Sequence, residues 1–307
     1  MKETAVLLID CPDQKGLVAR VSSLLYRHGA NILHADQHQD HDLGLFFMRV
    51  EWALNGSANS GSSTAQPVLP GSKAPPRAVP FDLEAFKAEF APLARELNMR
   101  WKLTAADRRP RMALFCSQYL HCMADLLFRW RAGELECEIP LIISNHRAVA
   151  DLAVFYGIPF EYVSVTAATS AQAEQRQLEL LARHQIELVV LARYMQILSP
   201  AFVARYPNSI INVHHSFLPA FTGAKPYHAA HARGVKLIGA TAHFVTANLD
   251  EGPIIEQAVE RITHADTPDD LVRKGRDIER RVLARAVRYH LEDRVILNNK
   301  KSVVFKV

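Results

Sequence analysis

The chain has 307 residues, 49% hydrophobic and 22% charged, values of a soluble globular protein long enough for two cores. Its 36 basic and 32 acidic residues are well mixed, so a net charge of +4 gives no stripe for nucleic acid. No apolar run is long enough for a membrane span, and Met1-Lys2-Glu3-Thr4 does not open a signal peptide, so a cytoplasmic protein is expected.

Residues 4–10 read as a short apolar strand, and Cys11-Pro12-Asp13-Gln14-Lys15-Gly16 is turn chemistry leading into a helix. Leu17, Val18, Val21, Leu24 and Leu25 then recur at helical spacing until Gly29 closes the helix. Two strands follow around a turn at Asp40-His41-Asp42, then an amphipathic helix over 81–98 and a strand over 100–104. The order is that of a ferredoxin-like βαββαβ domain over residues 1–105. Residues 55–80, rich in Ser, Gly, Ala and Pro, carry too few apolar side chains to offset their ordering entropy and are predicted to be a mobile insertion. Residues 105–110 read as a linker.

From Arg111 strands alternate with helices. Strands are predicted over 112–117, 139–145, 160–163, 187–191 and 209–213, with helices over 120–132, 147–156 and 171–184. Right-handed crossovers then give an α/β domain over 111–307 with a Rossmann-like, mostly parallel sheet and 209–213 as its central strand. Segments 241–245 and 252–260 read as later, partly antiparallel strands, and 268–291 as a long outer helix. Cys11, Cys116, Cys122 and Cys137 form neither a Cys-x-x-Cys pair nor a zinc-knuckle spacing, and no disulfide framework or metal is expected. Cys116 and Cys137 fall on predicted strands as buried thiols, whereas Cys122 opens a helix within reach of the expected site.

Chemistry concentrates in Ile211-Asn212-Val213-His214-His215-Ser216-Phe217-Leu218-Pro219, where a β-branched strand ends at Leu-Pro. Asn212 and His214 leave that strand on one face, at the edge where open α/β sheets bind ligands. A second strand, Thr241-Ala242-His243-Phe244-Val245, and the turn through Asp250 can return a carboxylate to them. Such a set suits attack on a small acyl group: an amide for the oxyanion, an imidazole for the proton, a carboxylate to hold the imidazole or orient a water. By residue type alone the same set also fits a structural polar cluster, and His243 a core histidine. The apolar run 191–200 follows a strand and reads either as a slot for a flat ring or as an ordinary packed connection.

The run 212–219, with Gly234-Val235-Lys236, His243-Phe244-Val245 and Leu249-Asp250-Glu251-Gly252-Pro253-Ile254-Ile255, resembles the folate-dependent formyltransferase family. Asp10-Cys11-Pro12-Asp13-Gln14-Lys15-Gly16 and Gly29-Ala30-Asn31-Ile32 resemble an ACT domain. The first resemblance implies Asn212, His214 and Asp250 as catalytic residues with His243 in support. It further implies that Leu191, Met195, Gln196, Ile197 and Leu198, faced by Val245 and Thr246, hold the folate, with no cofactor beyond that substrate. Lys225, Tyr227 and His228 could shape a lid. The ACT resemblance implies a homo-oligomer paired edge to edge, and either an amino-acid effector at Asp10, Gly16, Leu17, Asn31 and Ile32 or dimerisation alone.

Relatives that formylate glycinamide ribonucleotide have a glycine-rich loop after the first strand of this domain, where backbone N–H groups cradle phosphate. Here Phe115-Cys116-Ser117-Gln118-Tyr119-Leu120-His121-Cys122 contains no glycine, so water becomes the expected acceptor. Formyl transfer to methionyl-tRNA is also disfavoured, since no further domain for tRNA is expected after residue 307. The resemblance thus implies hydrolysis of 10-formyltetrahydrofolate to formate and tetrahydrofolate, supplying formate for purine synthesis and balancing one-carbon folate pools. Transfer to an amine acceptor, and an amino-acid-sensing module with an inactive catalytic domain, stay open.

Overall fold

The computed structural model describes residues 4–54, 81–105, 108–219 and 226–306. The expected insertion 55–80, residues 106 and 107 of the linker, and Lys225 lie outside the described residues. The chain divides into two compact units, one up to Arg108 and one from Arg109 to Lys306.

The first unit runs β1 (Thr4–Pro12), α1 (Leu17–Arg27), β2 (Asn31–Asp40), β3 (Leu45–Ala53), α2 (Leu83–Glu96) and β4 (Arg100–Ala105). Its sheet has the order β2-β3-β1-β4 with every neighbouring pair antiparallel. α1 buries Leu17, Val21, Leu24 and Leu25, and α2 buries Phe86, Phe90 and Ala94; together with Trp52 they close one core. Asp82 starts α2 by accepting from the backbone N–H of Glu84 and Ala85, which sets the helix start two residues after Phe81.

In the second unit come β5 (Arg111–Cys116), α3 (His121–Arg131), β6 (Glu138–Ser144), α4 (Ala150–Tyr156), β7 (Phe160–Tyr162) and α5 (Ser170–Arg183). β8 (Leu188–Leu191), α6 (Pro200–Arg205), β9 (Ile210–His214), α7 (Pro226–Arg233), β10 (Leu237–Phe244) and β11 (Ile254–Arg261) follow. α8 (Pro268–Leu291) and a hairpin of β12 (Val295–Asn298) and β13 (Lys301–Val304) complete the unit. Cys137 therefore sits just before a strand rather than on one.

The seven-stranded sheet has the order β11-β10-β9-β8-β5-β6-β7. β5, β6, β7, β8 and β9 pair in parallel, while β9-β10 and β10-β11 are antiparallel. Continuous apolar runs such as Leu188-Val189-Val190-Leu191 belong to strands covered on both faces. The middle strand is β8; the strand predicted as central, now β9, lies third from an edge, because β10 and β11 add only two strands beyond it. α6, α7 and the closing hairpin carry no sequence prediction. Each is short, with six, eight and four residues per element, too few for a period to register.

Candidate active site

The chain adds β6 and β7 on one side of β5 and then places β8 on the other. Ligands of open α/β sheets bind outside the carboxyl ends of the strands near such a reversal. A cleft of about 300 Å³ is lined here by the loop after β8, the end of β9, and the segment after β10. Asn212, His214, His243 and Asp250 line it, as do the predicted folate residues Leu191, Met195, Gln196, Ile197, Leu198, Val245 and Thr246. Ile197 and Leu249 keep 72% and 63% of their surface exposed, an apolar rim fit to cover a flat ring.

Register explains the polar cluster. Asn212 on β9 stands directly opposite His243 on β10, and His214 opposite Thr241. Asn212 Nδ2 lies 3.3 Å from His243 Nε2. The other ring nitrogen of His243, Nδ1, donates to the Phe244 carbonyl at 2.9 Å. Nε2 of His243 thus faces both the Asn212 amide and the Asp250 carboxylate, and the Asn212 amide keeps a second N–H to offer the cleft.

Asp250 reaches the site because the chain doubles back after β10. Phe244 N–H donates to the Pro253 carbonyl at 2.9 Å, and a Cβ on Gly252 would stand 1.7 Å from the Phe244 oxygen. Only glycine fits there. Asp250 itself has φ 57°, a left-handed conformation that Asp and Asn tolerate better than most residues. Its Oδ2 is 3.2 Å from His214 Nδ1 and its Oδ1 3.5 Å from His243 Nε2. Hydrogen bonds from His214 and then His243 hold the carboxyl well below the usual carboxylate range. Asp250 is thus an anion at working pH and a weak base. His214 commits Nδ1 to Asp250, while its buried Nε2 has no hydrogen-bond partner among the described residues, which makes Nε2 the proton-exchanging atom.

Two further loops are tied in place. The Thr241 hydroxyl accepts from Leu218 N–H (3.1 Å) and donates to the Ser216 carbonyl (3.0 Å), fixing the exit of β9. The Ser117 hydroxyl donates to Asn145 Oδ1 (2.7 Å) and accepts from Met195 N–H (3.0 Å), joining the β5 turn to the β8 loop. In that glycine-free turn, the Tyr119 ring lies 5.4 Å from the guanidinium of Arg193 and 5.6 Å from that of Arg276.

Sequence reasoning missed Arg193, His215 and Glu279. Arg193 and His215 line the cleft. Glu279, 1% exposed on α8, accepts from the Tyr227 hydroxyl (2.7 Å), pairs with His121 Nε2 (2.8 Å) and lies 3.3 Å from Arg193 Nε. Burial alone would raise its carboxyl, but the His121 hydrogen bond, the Arg193 charge and the Tyr227 hydroxyl bring it below the ordinary range. The available signal was a lone cation inside an otherwise apolar loop.

Some expected placements are corrected. Cys122 is 1% exposed in the core under α8, its thiol pushed well up by burial, and it does not line the cleft. Tyr227 is buried on α7 and bonded to Glu279, so it is no lid residue, and His228 faces outward beside it. His121, Cys122 and Glu279 bring ligand atoms within 4.8 Å of one another, yet both Glu279 oxygens are already engaged by protein groups. In the first unit Leu17 is 3% exposed and packed in the core. Asp10 pairs with Arg100 at 2.6 Å, Gly16 precedes α1 at φ 90°, and Asn31 and Ile32 are exposed at the start of β2.

Comparison with known proteins gives matches to both units. The formyl transferase family model matches residues 110–287, and the ACT domain model residues 5–51. The chain is 50% identical to a formyltetrahydrofolate deformylase of Synechocystis, over 98% of each chain. It is 47% identical to one of Bacillus subtilis, over 97% of this chain and 93% of the relative. The crystal structure of a formyltetrahydrofolate deformylase from Pseudomonas syringae superposes with a TM-score of 0.89 at 44% identity, covering 100% of this chain and 95% of that one.

Proposed function

Because the chain belongs to the formyltetrahydrofolate deformylases, we propose that its cleft hydrolyses 10-formyltetrahydrofolate to formate and tetrahydrofolate. The observation that carries the residue roles is Asp250 bridging His214 and His243 beside Asn212. The pterin enters between the β8 loop and residues 245–249. Water attacks the formyl carbon and gives its proton to His214 Nε2. Asp250, engaged by both histidines, stays an anion and can orient the water beside His214. The free N–H of Asn212 donates to the oxyanion as the C–O bond forms. His214 then returns the proton to the folate nitrogen as the C–N bond breaks, and the formic acid released gives its remaining proton to solvent to become formate. Asp250 fixes the tautomer and plane of His214 throughout. No step calls for a metal or a second cofactor.

Transfer to an amine has no comparable support, since the turn 115–122 holds no glycine to bring backbone N–H groups up to the phosphate of an acceptor. A sensing module with an inactive catalytic unit fits poorly with a complete Asn212, His214 and Asp250 set. The edge position of β2, exposed over most of its length, supports pairing of first units into a homo-oligomer, with an amino acid binding near Asn31 and Ile32. Free cysteines at all four positions suit a cytoplasmic enzyme, and formate for purine synthesis is the product's natural use.

Incubation with 10-formyltetrahydrofolate alone tests the reading. Formate and tetrahydrofolate should appear in equal amounts with no amine present, and Asn212→Ala should bind folate yet turn over about 10² to 10³ times more slowly. Formyl loss that requires an added amine would sink hydrolysis, and near-normal turnover by Asn212→Ala would remove that residue's role.

A further inference from the structure

Arg193 carries two costs. It holds a left-handed backbone at φ 65°, where a long side chain is strained, and it buries a guanidinium to 9% exposure. Only part of that guanidinium is engaged. One face lies toward the Tyr119 ring and Nε faces Glu279 at 3.3 Å without an aligned hydrogen bond. Nε and Nη1 have no hydrogen-bond partner among the described residues. The same holds for Nε2 of His214 and Nε2 of His215, whose rings stack with centroids 5.2 Å apart. All three side chains are more than nine-tenths buried and line one cleft. Burial, then the charge of Arg193, pushes the His215 imidazole down to about 4, so at neutral pH it offers hydrogen bonding without charge.

Among the described residues lining the cleft, Arg193 is the single permanent cation and Asp250 the single carboxylate. Hydrolysis creates a small carboxylate beside Asp250, which repels it. With Nε turned to the Glu279 carboxylate, the Nη1 end of the guanidinium is the edge left to donate to a carboxylate. We propose that Arg193, with His215 beside it, forms a subsite that takes up the formate product and draws it away from Asp250. The proposal deepens the hydrolytic reading and rests on it for the identity of the anion. A larger carboxylate such as acetate shares the chemistry, while chloride shares only the charge.

The test is inhibition of deformylation by sodium formate, sodium acetate and sodium chloride at constant ionic strength. A ligand of three heavy atoms binds no tighter than about 1 mM, so formate is titrated to about 50 mM. Formate should inhibit the wild type well beyond chloride. Arg193→Met should raise the formate inhibition constant about tenfold or more, and Arg193→Lys, a point charge in place of a fork, should fall between. Thermal melts and tetrahydrofolate binding establish that each variant is folded; if Arg193→Met is not, Arg193→Lys decides. Line broadening of ¹³C-formate by wild-type protein reads binding without turnover, so failure to hydrolyse the folate and failure to bind formate are separate results. Inhibition by formate no stronger than by chloride overturns the subsite, and so does an inhibition constant unchanged in a folded Arg193 variant. Acetate acting more strongly than formate would assign the subsite to another carboxylate and overturn it as a product site.

Discussion

Asp250 shows what a single residue does in this cleft, and its charge can be separated from its shape. Asn is isosteric with Asp and tolerates the φ of 57°, so Asp250→Asn keeps the turn while removing the anion between His214 and His243. Hydrogen bonds from His214 and His243 lower the folded carboxyl below its unfolded value of about 3.9. The stabilisation is therefore fully present above about pH 4 and is lost as pH falls from there toward the folded value. Urea melts should show wild type more stable than Asp250→Asn at pH 6, with the gap narrowing below about pH 4. A gap that widens on acidification would reverse the sign and remove the ion pairs as its source. Asn212, His214 and Asp250 were legible as residues because a strand period of two and a Leu-Pro exit fix where side chains leave. Arg193 was not, since its local sequence is apolar and its pairing with Glu279 spans the full distance from the β8 loop to α8.

At the scale of elements, α8 presents a conflict between intrinsic propensity and packing. Gly275 sits inside this 24-residue helix, where replacing glycine with alanine ordinarily gains up to about 1 kcal/mol. A Cβ at Gly275 would lie 2.1 Å from Cζ and 2.3 Å from the hydroxyl of Tyr227, which donates to Glu279. Overpacking of this kind costs about 1 to 3 kcal/mol and here also pulls the donor from a buried carboxylate. Packing wins, so Gly275→Ala should lower stability by about 1 to 2 kcal/mol in urea titrations. A more stable variant would mean that α7 carries Tyr227 aside without loss. The start of α8 at Thr267, by contrast, is local: the Thr267 hydroxyl accepts from Asp270 N–H at 3.2 Å while Asp270 accepts from Thr267 N–H at 2.9 Å. That is why the predicted range 268–291 coincides with the helix, whereas α6 and α7, too short to show a period, were not readable.

Over the whole molecule the two units keep separate cores. Trp52, Phe86 and Phe90 close one, and the sheet from β5 to β11 with α8 closes the other. Among the described residues none is shared between these clusters, and the chain divides between Arg108 and Arg109. A fragment beginning at Arg109 should therefore fold alone, with a cooperative thermal transition and retained tetrahydrofolate binding. A fragment that is soluble but melts without a transition would show that the second core depends on the first unit.

The sequence by itself determined the two-domain α/β organisation, the mostly parallel sheet, and the strand end that presents Asn212 and His214, because these follow from periodicity and turn chemistry within a dozen residues. Tertiary structure alone decided which strand stands in the middle, how Gly252 lets Asp250 reach both histidines, and where Arg193 meets Glu279. Those outcomes depend on strand order and on close approach between segments far apart in the chain, and no local pattern encodes such distances.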